Sequence, residues 1–433
     1  MSKRFNDPVN GLEGIYQAFH DCCKHKMSSV NCSNYRAMSN EDLPTLYEEM
    51  VNGTYTPSES ITFCVRKPKV REIFAANFRD RIVQHWSTIR FEPLIERRFV
   101  EQGDVSFNCR KGYGTQRAVN KLAEQIWCMT DGYTKEAWIG RYDIKGFFMN
   151  INKEILWNKL EVFVREKYER DDMELLLSIL KKIVFHCPQH NCRRKGDLTL
   201  WDILPKEKSL FYKDDMTGMP IGNITSQLLA NFYMSFFDEF MMDLCKKYCA
   251  TFIRFVDDFV IVTRTKYANK KMRDAANKFL AEELKLELHP DKVYLQPASH
   301  GVKFIGSYIK PNRIYTSNRT VKNFVSTARK IESFAKRITN RKDANGLYRN
   351  PNDISIRQRK TLWHYVAGVN SLLGFLCHTR SYNIVTRVFS EFERAFQFIS
   401  IRKDRYAVVL NHHYTKFAYY INDNRNYEIL FSK

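Results

Sequence analysis

Two adjacent carboxylates, Asp257 and Asp258, interrupt the apolar stretch from Phe252 to Thr263. The flanking runs are short and rich in aromatic and β-branched residues, the pattern of two buried strands joined by a tight turn. An Asp pair inside an apolar hairpin is costly unless something neutralises it, and bound divalent cations do that well. Two other Asp pairs, Asp171-Asp172 and Asp214-Asp215, lie in charged or polar sequence and read as solvated loop or helix-end residues. A further carboxylate adds weight to the hairpin pair. Residues 137–152 read as a strand ending at Asp143 and a bend containing Gly146, followed by a helix from Lys153 to Val164. A strand-end carboxylate at 143 and a hairpin pair starting 114 positions later, at 257, are the minimum for a two-metal centre. Two divalent ions bridged by such groups activate a 3′-hydroxyl and stabilise departing pyrophosphate in an in-line displacement.

The rest of the chain must position these groups. Its 433 residues suffice for a large core divided among two or three subdomains. With 69 Lys and Arg against 48 acids, the net charge of +21 points to a polyanionic partner, with nucleic acid first among them. A merely well-solvated basic protein is the bland alternative. The first residues lack an apolar core of signal-peptide length, and no run approaches the roughly 18 apolar residues of a membrane span. Eleven cysteines without a secretory signal suggest reduced thiols, so a cytoplasmic protein without a membrane partner is expected.

Near the N-terminus, Leu12, Ile15, Phe19 and Cys22 recur at helical spacing; Cys22, Cys23 and His25 are too close together for an ordinary zinc site. Residues 61–74 read as two strands around a basic turn carrying Arg66, Lys67, Lys69 and Arg71, with a helix starting at Phe78. Such a tip either folds over a triphosphate or is simply solvated. The segment Arg110-Lys-Gly-Tyr-Gly-Thr115 suits a loop passing close to a nucleic-acid backbone, and it lacks the residue order of a Walker loop. Residues 165–215 read as a polar insertion. Its His186, Cys187, His190 and Cys192 suggest zinc, but no second knuckle follows, and the reading without metal is preferred. After Gly218-Met-Pro-Ile-Gly222, aromatic residues at three-to-four spacing from Leu228 to Phe240 mark a core helix, and a further amphipathic helix is read over 267–287. From Lys303 to Lys342 there are eleven basic residues against one acid, Glu332. An apolar stripe through Val321, Phe324, Ala328, Ile331, Ala335 and Ile338 opposes them, which makes a basic helical face suited to a duplex backbone.

These motifs, in this order, resemble those of reverse transcriptases. Phe255-Val-Asp-Asp258 resembles their YxDD box with Phe in place of Tyr, and Asp143-Ile-Lys-Gly-Phe-Phe148 resembles their first carboxylate motif. The resemblance implies an α+β right-hand polymerase: fingers within residues 1–135, a palm over 136–310 with an antiparallel sheet flanked by helices, and an α-helical thumb with a tail over 311–433. It implies RNA-templated DNA synthesis from deoxynucleoside triphosphates. Catalysis and metal binding would fall to Asp143, Asp257 and Asp258, with Ile144 as a further metal ligand, holding two Mg2+ ions for which Mn2+ substitutes. Nucleotide binding would fall to Arg71, to Lys67 or Lys69, to Phe147 and Phe148, and to Ile221, Gly222 and Gln227. Phe148 matches the steric gate that rejects a 2′-hydroxyl, which argues against an RNA-dependent RNA polymerase. Nucleic acid would be held by Arg110 and Lys111, by Phe304 and Gly306 in a primer-grip hairpin, and by Lys322, Arg329, Lys330, Lys336 and Arg337. Lys292 is a candidate general acid for pyrophosphate, with a solvated lysine as the alternative.

One motif departs from the usual form. Most reverse transcriptases carry Gln before the Gly and Pro after the Ser; this chain has Ile221 and Gln227 there. The variant form resembles the enzymes of diversity-generating retroelements, as does Asn370-Ser-Leu-Leu-Gly374, and related defence enzymes carry similar forms. Loss of a side-chain amide at 221 predicts weaker geometric selection and more misincorporation. The expected partners are an RNA template, its RNA–DNA duplex, a structured noncoding RNA and an accessory protein. An antiphage role, or a scaffold with dead polymerase motifs, stands as the alternative.

Overall fold

The computed structural model describes residues 9–24, 26–27, 29–66, 69–340, 354–379, 381–402 and 407–411. The chain divides into two compact units, Met1–Gly114 with Ala137–Gln296, and Thr115–Glu136 with Pro297–Lys433. Helices and largely antiparallel sheets alternate along it, giving the α+β class expected from the sequence.

At the heart of the first unit is a four-stranded sheet. Its order is Thr251–Phe255, Asp258–Thr263, Trp138–Asp143 and Tyr294–Pro297. The second strand pairs antiparallel with both neighbours, and after Asp258 every residue in it is buried. Burial on both faces explains why its sequence is a continuous apolar run and not an alternation. Helices Ile224–Tyr248 and Lys266–Glu283 contribute to the same core. Phe237 sets its ring edge-on to Phe252 and Phe259, and Phe240 stacks on Phe279 at 4.3 Å between centroids. The aromatic stripe is therefore core, as its spacing indicated.

The basic hairpin forms from Ser60–Val65 and Arg71–Ala75, and Cys192–Arg194 adds a parallel third strand beside Ser60–Thr62. Glu72 fastens it further. This buried carboxylate accepts hydrogen bonds from Trp201 Nε1 (2.8 Å), Ser209 Oγ (2.9 Å) and the Leu210 amide (2.9 Å).

The polar reading of 165–215 needs correction at its start. Met173–Phe185 is a helix whose Leu176, Leu177, Ile179, Leu180 and Val184 are all buried, because its apolar residues share one face despite the flanking charges. Asp172 precedes that helix and is not merely solvated. It accepts from Arg90 Nε at 2.6 Å and from the Tyr168 hydroxyl at 2.7 Å, and the Arg90 side chain is fully buried.

The second unit joins a three-stranded antiparallel sheet, Val302–Phe304, Ser307–Lys310 and Arg313–Thr316, to helices Asn318–Thr339, Ile356–Leu376 and Tyr382–Ser390. Ser317 caps the first of these helices through the Thr320 amide, and Ser355 with Gln358 forms a capping box on the second. Phe324, Ala328, Ile331, Ala335 and Ile338 face inward from Asn318–Thr339 as the periodicity predicted; Val321 is only half-buried.

Candidate active site

The two strand ends bring the three carboxylates together. Asp143 closes its strand directly opposite Asp258, which opens the neighbouring one, and Asp257 occupies the two-residue turn with Val256. The Ile144 amide donates to the Asp257 carbonyl at 3.1 Å, so the strand after Asp143 is laced to the turn. Burial pushes the Asp257 carboxyl up to about 6, helped by the negative charges of Asp143 and Asp258. The Asp258 carboxyl is raised as well, by burial and then by Asp143.

Lys292 brings the cluster a positive charge, with Nζ 2.5 Å from Asp143 Oδ1. Its approach is built by backbone. The His289 amide donates to the Asp143 carbonyl (2.8 Å) and the Lys145 amide to the Glu287 carbonyl (2.9 Å), so residues 287–292 run beside the strand end.

The turn itself is strained. Val256 has φ +60°, a left-handed conformation that costs a β-branched residue on the order of 1–3 kcal/mol. A buried clamp holds it there. Arg254 makes a two-pronged ion pair with Asp238 (2.6 Å each), both side chains fully buried, and its third nitrogen, Nη1, donates to the Val256 carbonyl at 3.1 Å. The same Nη1 reaches Asn231 Oδ1 at 3.0 Å. Linear spacing along the chain does not reveal this network. The available signal was a lone arginine within an otherwise apolar strand, a charge that must find a buried partner.

Two of the residues expected to bind nucleotide, Phe148 and Ile221, share one small apolar cluster. Phe147 is buried and Phe148 half-buried, their rings edge-to-face at 5.3 Å in a short helical turn after Gly146. Phe148 and Ile221 both pack on the small cluster of Phe74, Met149 and Leu210, and the Phe74 amide donates to the Ile221 carbonyl at 2.8 Å. Gly222 takes φ +128°, and a Cβ there would fall 2.6 Å from the Phe74 carbonyl oxygen. The close approach its missing side chain permits here is to the hairpin strand. Gln227 is exposed and accepts from Cys109 Sγ at 3.4 Å. Lys69 and Arg71 are exposed on the hairpin; Lys67 lies outside the described residues, as do His25 and everything beyond residue 411.

Two expected nucleic-acid contacts are corrected. Arg110 is buried, and its guanidinium is consumed by Glu96 (2.9 and 2.7 Å), Asp104 (2.7 Å) and the Ser106 carbonyl (2.7 Å), so it organises its loop from within. Its neighbour Lys111 is exposed and paired with Glu92. Phe304 is fully buried, so its role is packing; the adjacent Gly306 has φ +90° beside the Phe375 ring. On helix Asn318–Thr339, Lys322, Arg329, Lys330, Lys336 and Arg337 are all exposed. Arg329 pairs with Glu391, and Lys336 with Glu393 and Glu332.

Three crowded carboxylates beside one ammonium form an all-oxygen, electron-rich donor set, which fits hard divalent cations of the magnesium type. No described helix is long and apolar enough to cross a membrane.

The sequence model described as reverse transcriptase (RNA-dependent DNA polymerase) matches residues 66–309. Protein YkfC of Escherichia coli (strain K12) is 22% identical over 313 residues, covering 65% of this chain and 74% of YkfC. The group II intron-encoded protein LtrA of Lactococcus lactis subsp. cremoris is 22% identical over 347 residues, covering 66% of this chain; the chain spans only 52% of LtrA. Among solved structures, apo telomerase from Candida Tropicalis is similar with a TM-score of 0.43 at 12% identity, over 79% of this chain and 63% of that one. Telomerase from Candida albicans in complex with a telomeric RNA fragment scores 0.41 at 13% identity, over 77% and 56%.

Proposed function

We propose a function on the premise that this chain belongs to the reverse transcriptase (RNA-dependent DNA polymerase) family: it is an RNA-directed DNA polymerase that copies a structured RNA into DNA. The observation that carries this reading is the register placing Asp143 opposite Asp258 with Asp257 in the adjoining turn. Asp143 and Asp257, with the Ile144 carbonyl, would hold two Mg2+ ions or Mn2+ in their place, and Asp258 would assist. When bound, the ions neutralise the carboxylates and activate a primer 3′-hydroxyl.

The chain's own groups do the remaining work. Lys292, held against Asp143, is placed to donate a proton from Nζ to departing pyrophosphate. Phe148 presents its ring to the sugar and excludes a 2′-hydroxyl. Lys69 and Arg71, with Lys67 on the same turn by sequence, neutralise the triphosphate. In this reading the four-stranded sheet is the palm, the hairpin the fingers and the helices after residue 317 the thumb. The exposed basic face of Asn318–Thr339 then follows the RNA–DNA duplex.

The biological setting we propose is a diversity-generating retroelement with a structured RNA and an accessory protein. Ile221 and Gln227 support it, because they depart from the usual motif in the manner of that group. A cytoplasmic site suits eleven cysteines that are all unpaired. The test is to sequence nucleic acid copurifying from the host beside an Asp257→Ala, Asp258→Ala control. DNA dependent on the carboxylates and substituted mainly at one template base is expected. Accurate DNA from a private noncoding RNA, or simple repetitive DNA, would instead assign antiphage defence, and no carboxylate-dependent DNA would leave a binding scaffold.

A further inference from the structure

Away from the carboxylate centre, Cys187, His190 and Asp215 bring a sulfur, a ring nitrogen and a carboxylate oxygen within 4.8 Å of one another. Cysteine and histidine come from the segment after helix Met173–Phe185; the aspartate comes from the loop before Thr217. Sequence spacing set zinc aside because no second pair of ligands followed. The chain folds a third ligand in from 25 positions beyond His190, where linear spacing could not show it.

A second observation points the same way. Lys153 is buried, only 2% exposed, and among the described residues it makes no direct ion pair, although its charge is felt by the Asp215 carboxylate. Its Nζ donates to Cys187 Sγ at 3.3 Å and to the His186 carbonyl at 3.2 Å. A buried ammonium needs an anion beside it, and a metal-bound thiolate is one.

We propose that Cys187, His190 and Asp215 bind a Zn2+ ion, with Lys153 donating to the coordinated sulfur and water in the remaining position. Zinc bonds of about 2.0–2.3 Å fit ligand atoms this close after small side-chain rotations. The 2.6 Å contact between His190 Nε2 and Asp215 Oδ1 opens as the ion enters. Mixed sulfur, nitrogen and oxygen ligands select zinc over magnesium, which separates this site chemically from the all-carboxylate centre. The ion would staple residues 187–190 to the loop that continues into Gly218 and Met219. Those residues donate to the Ile151 and Phe148 carbonyls at 2.9 and 2.8 Å, so the staple would steady the backbone of the proposed gate. The binding claim itself does not depend on polymerase activity.

The experiment uses full-length protein, stripped with chelator and held in excess Mg2+, then titrated with Co2+ and with Zn2+. Expected are one tightly bound ion per chain, a thiolate-to-cobalt charge-transfer band displaced by zinc, and a melting temperature that zinc raises and chelator lowers. His190→Ala and Asp215→Asn change exposed side chains and should leave the fold intact, which the melting temperature of the metal-free variants checks. Each should weaken zinc binding by more than the roughly 10–100-fold that loss of a second-shell partner costs. Cys187→Ser should abolish the charge-transfer band. Absence of that band in the unmodified protein, or zinc affinity unchanged in the His190 and Asp215 variants, overturns the proposal.

Discussion

Replacing Asp257 by Asn should make the metal-free protein more stable while ending its catalysis. The carboxyl is raised from an ordinary 3.8 to about 6 by burial and by its two charged neighbours. Each unit corresponds to about 1.4 kcal/mol, and discounting for the part of the group still open to water leaves a penalty of about 2 kcal/mol for holding it ionised. The direction with pH follows from proton binding. Between about pH 4 and 6 the folded chain holds a proton on Asp257 that the unfolded chain has lost. Stability from this group therefore falls as pH rises through that window and stays low above it. Denaturant unfolding in chelator, with and without the substitution, isolates the effect as a difference. At pH 8 Asp257→Asn should exceed the unmodified protein by about 2 kcal/mol, and near pH 4 the gap should close. Added Mg2+ should stabilise the unmodified protein and have much less effect on the variant. A variant less stable than its parent at pH 8 without metal, or a gap independent of pH, would refute the reasoning.

Other consequences can be checked in the same protein. Arg254→Met strands a buried carboxylate at Asp238 and should cost about 3–5 kcal/mol. Adding Asp238→Leu should restore most of that stability but not activity, because nothing then clamps the Val256 carbonyl; full recovery of DNA synthesis would show the clamp to be dispensable. Gly222→Ala places a Cβ 2.6 Å from the Phe74 oxygen at φ +128°, so it should lower the melting temperature through about 1–3 kcal/mol of strain, with no change indicating that the loop moves freely. Phe148→Ala should admit ribonucleotides, and Ile221→Gln should reduce misincorporation. Product sequencing checks both, and unaltered sugar selection or an unaltered error spectrum would remove those residues from the account.

The carboxylate hairpin could be read from the sequence because its chemistry is local: an apolar run broken by two acids leaves few structural choices. The strand ending at Asp143, the basic hairpin and the stripe on helix Asn318–Thr339 were legible for the same reason. What the sequence hid were partners distant along the chain. Arg110 and Phe304 looked like binding residues until Glu96, Asp104 and a closed core accounted for them. The Arg254–Asp238 pair joins a strand to a helix, and Glu72 meets donors more than a hundred positions away. Helix Met173–Phe185 is masked in the sequence by the charges that flank its apolar face. The sequence does not show that Gly222 packs against the hairpin strand, because Phe74 lies far from it along the chain.

The most direct measurement is extension of a labelled DNA primer on an RNA template by purified protein, given deoxynucleoside triphosphates and Mg2+, beside the Asp257→Ala, Asp258→Ala variant. The account predicts templated DNA synthesis that needs both the divalent ion and the carboxylates. Synthesis that survives their loss, or a protein that binds the duplex and extends nothing under Mg2+ or Mn2+, would contradict it.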